Sequence, residues 1–154
     1  MNESQRIQTL FTDLYHGHPW IDVTIEDTLG MITAQQALQR PIKDGNTIWE
    51  IVNHIIAWRK NVLTRMHGEV VATPINNYIE KIDDASEEAW RQTLEALETT
   101  QKEWLYLLST FNEAHFLNEY PINKLTYYQH MHGIIQHDAY HLGQIVLLAK
   151  MVKH

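Results

Sequence analysis

Apolar residues recur at intervals of three and four along four stretches of this 154-residue chain, the period of a helix with one buried face. Ile7, Leu10, Phe11 and Leu14 form the first stripe, between residues 3 and about 15, and Gly17 ends it. Ile48, Ile51, Val52, Ile55, Ile56, Val62 and Leu63 form the second; Thr47 can cap it, with Glu50 at the third helical position, and it runs to about Met66. Ser86 opens a third, in which Trp90, Leu94, Leu97, Trp104, Leu105 and Leu108 keep the period to about Ser109. From Asn123 nearly to the C-terminus, Leu125, Tyr128, Ile134, Ile135, Leu142, Ile145, Val146 and Leu148 predict a fourth helix.

The intervening segments are less regular. Residues 18–44 hold a short turn over Thr24 to Leu29 and a stretch that Thr33 can cap as far as Leu38, which predict short helices and loops. Residues 68–84, with Thr73-Pro74 and little periodicity, read as a long crossover or lid, and 111–122 as a loop stopped by Pro121. Four main helices with one long and one shorter, interrupted connection predict an all-α fold, a four-helix bundle with at least one overhand crossing. Neither a repeat nor a low-complexity tract divides the chain, so residues 1–154 are expected to form a single domain.

Composition narrows the chemistry. A hydrophobic content of 44% with only 6 Gly and 4 Pro argues against disorder and against a loop-rich β fold. Lys and Arg number 12 against 19 Asp and Glu, and no basic run could follow a phosphate backbone, so nucleic acid is not an expected partner. The N-terminus lacks a basic stretch followed by an apolar one, and no apolar run reaches membrane-spanning length; a soluble cytoplasmic protein with no membrane partner is expected. Cysteine is absent, which removes thiolate ligands and cysteine nucleophiles and leaves imidazole and carboxylate as the metal chemistry at hand.

The 10 histidines are then the residues to place. His137 and His141 are four apart in an otherwise apolar helical run, so both rings reach one point on a single helix face. Two ligands from one helix need a third from elsewhere, with a position left open for water or substrate. His54 is the best candidate, in the apolar frame Ile51-Val-Asn-His-Ile-Ile-Ala-Trp58, where a bare imidazole would face the core. For each residue alone, a hydrogen-bonded core histidine is the plainer reading. His130 lies seven before His137 on the same face; it can be a fourth ligand, a group behind the ligands or a proton carrier, and a non-ligand role as the catalytic residue is expected. His16, His18, His67, His115, His132 and His154 are expected to face solvent.

His137-Asp-Ala-Tyr-His141 has the histidine spacing of the metalloprotease motif H-E-x-x-H, but Asp138 stands where that motif places its catalytic Glu, and no Glu-x-x-His pair marks a di-iron bundle. Asp138 is expected to face another helix or solvent. Tyr127, Tyr128, Tyr140 and Gln144 can orient a substrate, with core packing the plainer role for the aromatics, and Trp58 is expected to pack in the core rather than wall the site. Glu50 is expected to cap its helix rather than support a ligand, and Gly133 and Gly143 to mark close helix packing.

The segments Ile48-Trp-Glu-Ile-Val-Asn-His-Ile-Ile-Ala-Trp-Arg59 and Gly133-Ile-Ile-Gln-His-Asp-Ala-Tyr-His-Leu-Gly-Gln-Ile145 resemble the second and last helices of the DinB-like superfamily of metal-binding helical bundles, and the likeness spans nearly the whole chain. The resemblance implies a DinB-type bundle with long crossover connections. It puts His54, His137 and His141 on the three metal-ligand positions, with nickel or zinc as the divalent metal and water completing the site. It also implies a homodimer. Some relatives transfer a low-molecular-weight thiol, such as bacillithiol or mycothiol, to electrophiles, and others are described as hydrolases. The expectation is therefore a metal-dependent enzyme acting on a small-molecule substrate, in which the ion lowers the pKa of a thiol cosubstrate (an S-transferase) or of water (a hydrolase). The alternative is a non-catalytic metal-binding bundle with a structural, sensing or dimerisation role, which a sealed site with a fourth protein ligand would favour. A metal-free protein would keep His54 far from the other two.

Overall fold

The computed structural model describes residues 1–152, and His154 lies outside them. Each long helix begins where a side chain takes up a free backbone N–H, a contact that contributes about 1 kcal/mol. Helix α1 (Glu3–His16) starts from Asn2 paired reciprocally with Gln5. After it come two short helices, α2 (Ile25–Gly30) capped by Thr24 and α3 (Ala34–Ala37) capped by Thr33, so the turn expected over Thr24 to Leu29 is helical. Helix α4 (Ile48–Met66) starts from the Thr47/Glu50 capping box, and α5 (Glu87–Thr110) from Ser86.

A 3₁₀ turn (Glu113–His115) precedes α6 (Tyr127–Val152). This last helix begins later than the expected Asn123. Lys124 adopts a positive φ of 60° and Glu119 bridges Thr126 in antiparallel fashion, both incompatible with a helix there. The true start is a further capping box: Thr126 Oγ1 accepts from the Gln129 N–H at 3.1 Å, and Gln129 Oε1 accepts from the Thr126 N–H at 2.8 Å.

Cross-helix contacts set the directions. Gln8 meets Leu105 and Phe11 meets Gln101, so α1 and α5 are antiparallel; Trp49 meets Thr93 and Arg59 meets Gln101, so α4 and α5 are parallel. His54 meets His137 and Arg65 meets His130, which makes α4 and α6 antiparallel. Joining the parallel pair α4 and α5 obliges the connection 67–86 to travel the length of the bundle, which is the overhand crossing. No helix of the described residues is long and apolar enough to cross a membrane.

The core is in two parts. Ile48, Val52, Ile55, Leu97, Leu142 and Ile145 belong to one apolar cluster, and Ile7, Phe11, Val62, Trp104, Met131 and Ile134 to the other. Between them lies a buried polar layer. Arg59 Nε donates to Asp138 Oδ2 at 2.7 Å, with both side chains almost wholly buried at 0% and 1% exposure. Arg59 Nη1 also donates to Gln101 Oε1 at 3.0 Å and to Thr100 Oγ1 at 3.4 Å, and Gln101 Nε2 donates to the Phe11 carbonyl at 3.0 Å. One layer thus ties α1, α4, α5 and α6 together. Asp138 faces another helix, and its partner there is a buried arginine.

Candidate metal centre

His54 comes from the middle of α4, and His137 and His141 from successive turns of α6. The antiparallel packing of the two helices brings the three rings together, with centroids 5.0 Å apart for His54–His137, 4.7 Å for His54–His141 and 4.5 Å for His137–His141. One ligand nitrogen from each lies within 4.8 Å of the others, so the group can hold a metal ion. His130, two turns away along α6, is not among these three.

Hydrogen bonds behind the rings decide which nitrogens face inward. His54 Nδ1 lies 2.7 Å from the Asn77 backbone carbonyl, which can only accept, so Nδ1 carries the proton and Nε2 presents a lone pair. His141 Nδ1 similarly donates to Gln144 Oε1 at 2.7 Å, while Gln144 Nε2 donates to the Tyr140 hydroxyl at 3.2 Å. His54 Nε2 sits 3.0 Å from His137 Nε2. Two lone pairs at that distance repel unless a proton or a cation lies between them.

His137 favours the cation. Its Nδ1 has no hydrogen-bond partner and lies 3.6 Å from Asp138 Oδ1, which has none either. A proton on Nε2 would leave bare Nδ1 facing a bare carboxylate oxygen. A cation on the Nε2 side leaves the proton on Nδ1, where it faces the carboxylate. The donor set of three imidazoles fits a divalent ion that prefers nitrogen ligands.

Burial keeps His54 and His141 unprotonated near neutrality. Desolvation drives the His141 pKa from 6.5 down to about 4, against the opposing hydrogen bond that it donates to Gln144. Desolvation also lowers His54, opposed by its bond to Asn77 and reinforced by neighbouring His137. A metal bound there would therefore meet little proton competition from these two rings near neutrality.

The three imidazoles line one wall of an open cavity of about 630 Å³. Trp58 does more than pack in the core: it walls this cavity and its Nε1 donates to Asn77 Oδ1 at 3.0 Å. Gly133 also lines it, and neither Gly133 nor Gly143 has a neighbour within 4 Å of where a Cβ would stand, so the expected close helix packing is absent at both. Tyr140 is 65% exposed and at the cavity, not in the core. Glu50 caps its helix and pairs with Arg40 at 2.6 Å, away from the ligands. His130 is buried, lines the cavity, and has Nε2 3.3 Å from Arg65 Nη1. His132, expected in solvent, is half-buried against Tyr128 with ring centroids 4.4 Å apart.

Asn77 is the residue that sequence reasoning missed. It belongs to the crossing strap, adopts a φ of 53°, and bonds both His54 and Trp58. Asn tolerates the left-handed region better than most residues, so Asn76-Asn77 in a loop signalled a turn, though nothing in the sequence placed that turn over His54.

A family model described as the DinB superfamily matches residues 23–145, most of the chain. No curated protein and no solved structure matches it.

Proposed function

The chain belongs to the DinB superfamily, and on that premise we propose that it is a metal-dependent enzyme that transfers a low-molecular-weight thiol to a small electrophilic substrate. His54, His137 and His141 hold the divalent ion, nickel or zinc. The observation that carries this reading is the convergence of three imidazole nitrogens on the wall of an open cavity, with no fourth His, Asp or Glu in the cluster among the described residues. A structural site would be closed by protein ligands; this one leaves room for a reactant.

Bound there, a divalent ion supplies Lewis-acid chemistry, drawing down the pKa of a thiol that reaches its open side. The protein's own residues hold that arrangement. Asn77 and Gln144 fix the protons of His54 and His141 on Nδ1, the Asp138 carboxylate lies behind His137, and Trp58 walls the cavity beside them.

Thiol chemistry is favoured over hydrolysis by what the cavity lacks. Among the described residues its lining contains no Asp or Glu, and Asp138, at the motif position of a metalloprotease base, is committed to Arg59. Without a carboxylate base, an attacking group of ordinary pKa near 8.5 is easier to ionise than water. The thiol comes from a cosubstrate, because the chain has no cysteine.

The test is metal analysis of untagged protein followed by thiol-transfer assays with bacillithiol or mycothiol and ester-hydrolysis assays, each with a His137→Ala control. Bound nickel or zinc and thiol transfer, both lost in the variant, are expected. Ester hydrolysis that needs no thiol would replace the S-transferase reading, and bound metal with neither activity would leave a non-catalytic role.

A further inference from the structure

The same cavity holds a second feature, a positive charge that no carboxylate answers. Arg65 is only 6% exposed, and among the described residues no acidic side chain forms an ion pair with it. Its guanidinium lies 4.6 Å from the Tyr120 ring centre and 5.6 Å from that of Trp58. Nη2 donates weakly to Thr73 Oγ1 at 3.5 Å, and Nε has no partner at all. The other buried arginine, Arg59, has a carboxylate of its own. Aromatic faces soften the desolvation of a guanidinium, but a buried cation with a free donor calls for a counter-charge.

His130 holds that cation in place. Its Nδ1 donates to the Thr126 carbonyl at 2.9 Å, so Nε2 is an acceptor, 3.3 Å from both Arg65 Nη1 and Asn123 Nδ2. Burial lowers the His130 pKa, and Arg65 lowers it further against the opposing bond to Thr126, so the ring stays neutral and keeps its lone pair. Arg65, His130 and Asn123 all line the cavity, together with the apolar side chains of Val62, Leu125 and Ile134.

We propose that Arg65, held by His130 and accompanied by the Asn123 amide, is an anion-binding subsite that takes the carboxylate of a substrate whose apolar body lies between it and the three histidines. This rests on the proposed function only for what occupies the other end of the cavity. His130 and His137 are seven positions apart, so the two ends are separated by about 10 Å along α6. On α4, Arg65 follows His54 by eleven positions, about three turns on the same face, and its side chain leans back toward the helix N-terminus and hence toward His54. A single guanidinium balances one charge and its planar fork matches a carboxylate; a phosphate dianion would leave negative charge uncompensated in the cavity. His130 is then a positioning residue acting through Arg65.

The test is calorimetric titration of the full-length protein, stripped of metal by a chelator so that no ion attracts the carboxylate, with 4-phenylbutyrate, its neutral amide and inorganic phosphate. Saturable binding of 4-phenylbutyrate is expected, weakened about tenfold or more by the change to the amide and by Arg65→Gln, since a charge-assisted hydrogen bond is lost in each case. Asn123→Ala, at an exposed position that leaves the core intact, should weaken it by a smaller factor. Equal binding of acid and amide, or undiminished binding by a folded Arg65→Gln, overturns the subsite. Phosphate binding more tightly than the carboxylate overturns the carboxylate assignment. Should Arg65→Gln fail to fold, the acid-to-amide comparison and Asn123→Ala decide. A zinc titration of the same preparation reads the metal centre separately: zinc without carboxylate sinks the subsite alone, and carboxylate without zinc sinks the metal reading alone.

Discussion

Replacing Asp138 by Ala removes one half of a fully buried ion pair and leaves the buried Arg59 without its counter-charge. Breaking such a pair costs about 3–5 kcal/mol, because the surviving charge stays desolvated. Here Gln101 and Thr100 remain as acceptors for Arg59 Nη1, which places the expected loss near the lower bound, about 3 kcal/mol. For a chain of this size that is a fall in Tm of about 6–12 °C. Chemical denaturation in the presence of a chelator isolates this loss from metal release. Asp138→Asn keeps an acceptor for Arg59 Nε and should lose less. The double variant Arg59→Met/Asp138→Leu should recover most of the loss, since it removes both charges together. Asp138→Asn carries a second readout: with Asp138 Oδ1 3.6 Å from His137 Nδ1, its metal affinity should drop about 10- to 100-fold. A change below about 1 kcal/mol in Asp138→Ala would refute the view that this polar layer is energetically coupled across the bundle.

Zinc or nickel at about 100 times its Kd should raise stability by about 2.7 kcal/mol, visible as a rise in melting temperature that a chelator reverses and that His137→Ala does not show. Metal-free protein should weaken as pH falls from about 6.5 toward 4: burial depresses His54 and takes His141 to about 4, so the unfolded chain binds more protons in that window. The His141 share is at most about 3 kcal/mol before allowance for its partial exposure, and denaturant midpoints in chelator that stay flat between pH 7 and 4.5 would contradict it. Gly133→Ala should gain up to about 1 kcal/mol of helix stability, because nothing lies within 4 Å of the added Cβ. Gly133→Leu should fold equally well yet block thiol transfer by filling the cavity, and full activity in that variant would show that the cavity is not the substrate's place.

The four long helices were legible because each buries one stripe, and a stripe is a local property of the sequence. Thr47 with Glu50 and Ser86 marked two of the starts correctly, since a cap and its helix are neighbours in the chain. The start of α6 was readable too: Thr126 and Gln129 form a capping box, but apolar Leu125 extends the stripe backwards and conceals it. His54, His137 and His141 stood out as polar residues at apolar positions. Their supporting groups did not. Asn77 reaches His54 from the crossing strap, and no local pattern says where such a strap will lie. Arg59 and Arg65 look alike in sequence, both basic residues on the same helix. Only packing reveals that one has Asp138 and the other has none.

That difference follows from where each falls on its helix. His54, Trp58, Val62 and Arg65 succeed one another at spacings of four, four and three, so they form one stripe of α4 facing the cavity. His130, Gly133, Ile134, His137, His141 and Gln144 form the matching stripe of α6. Arg59 and Asp138 lie one position beyond Trp58 and His137, rotated by about 100° into the bundle interior. Adjacent residues therefore serve opposite ends: Asp138 neutralises the interior charge, while His137 faces the cavity. Because the helices are antiparallel, the two cavity stripes meet at both ends, histidines with histidine at one and Arg65 with His130 at the other. A substrate able to engage both ends must lie along the groove, so its length as well as its charge becomes a criterion for recognition.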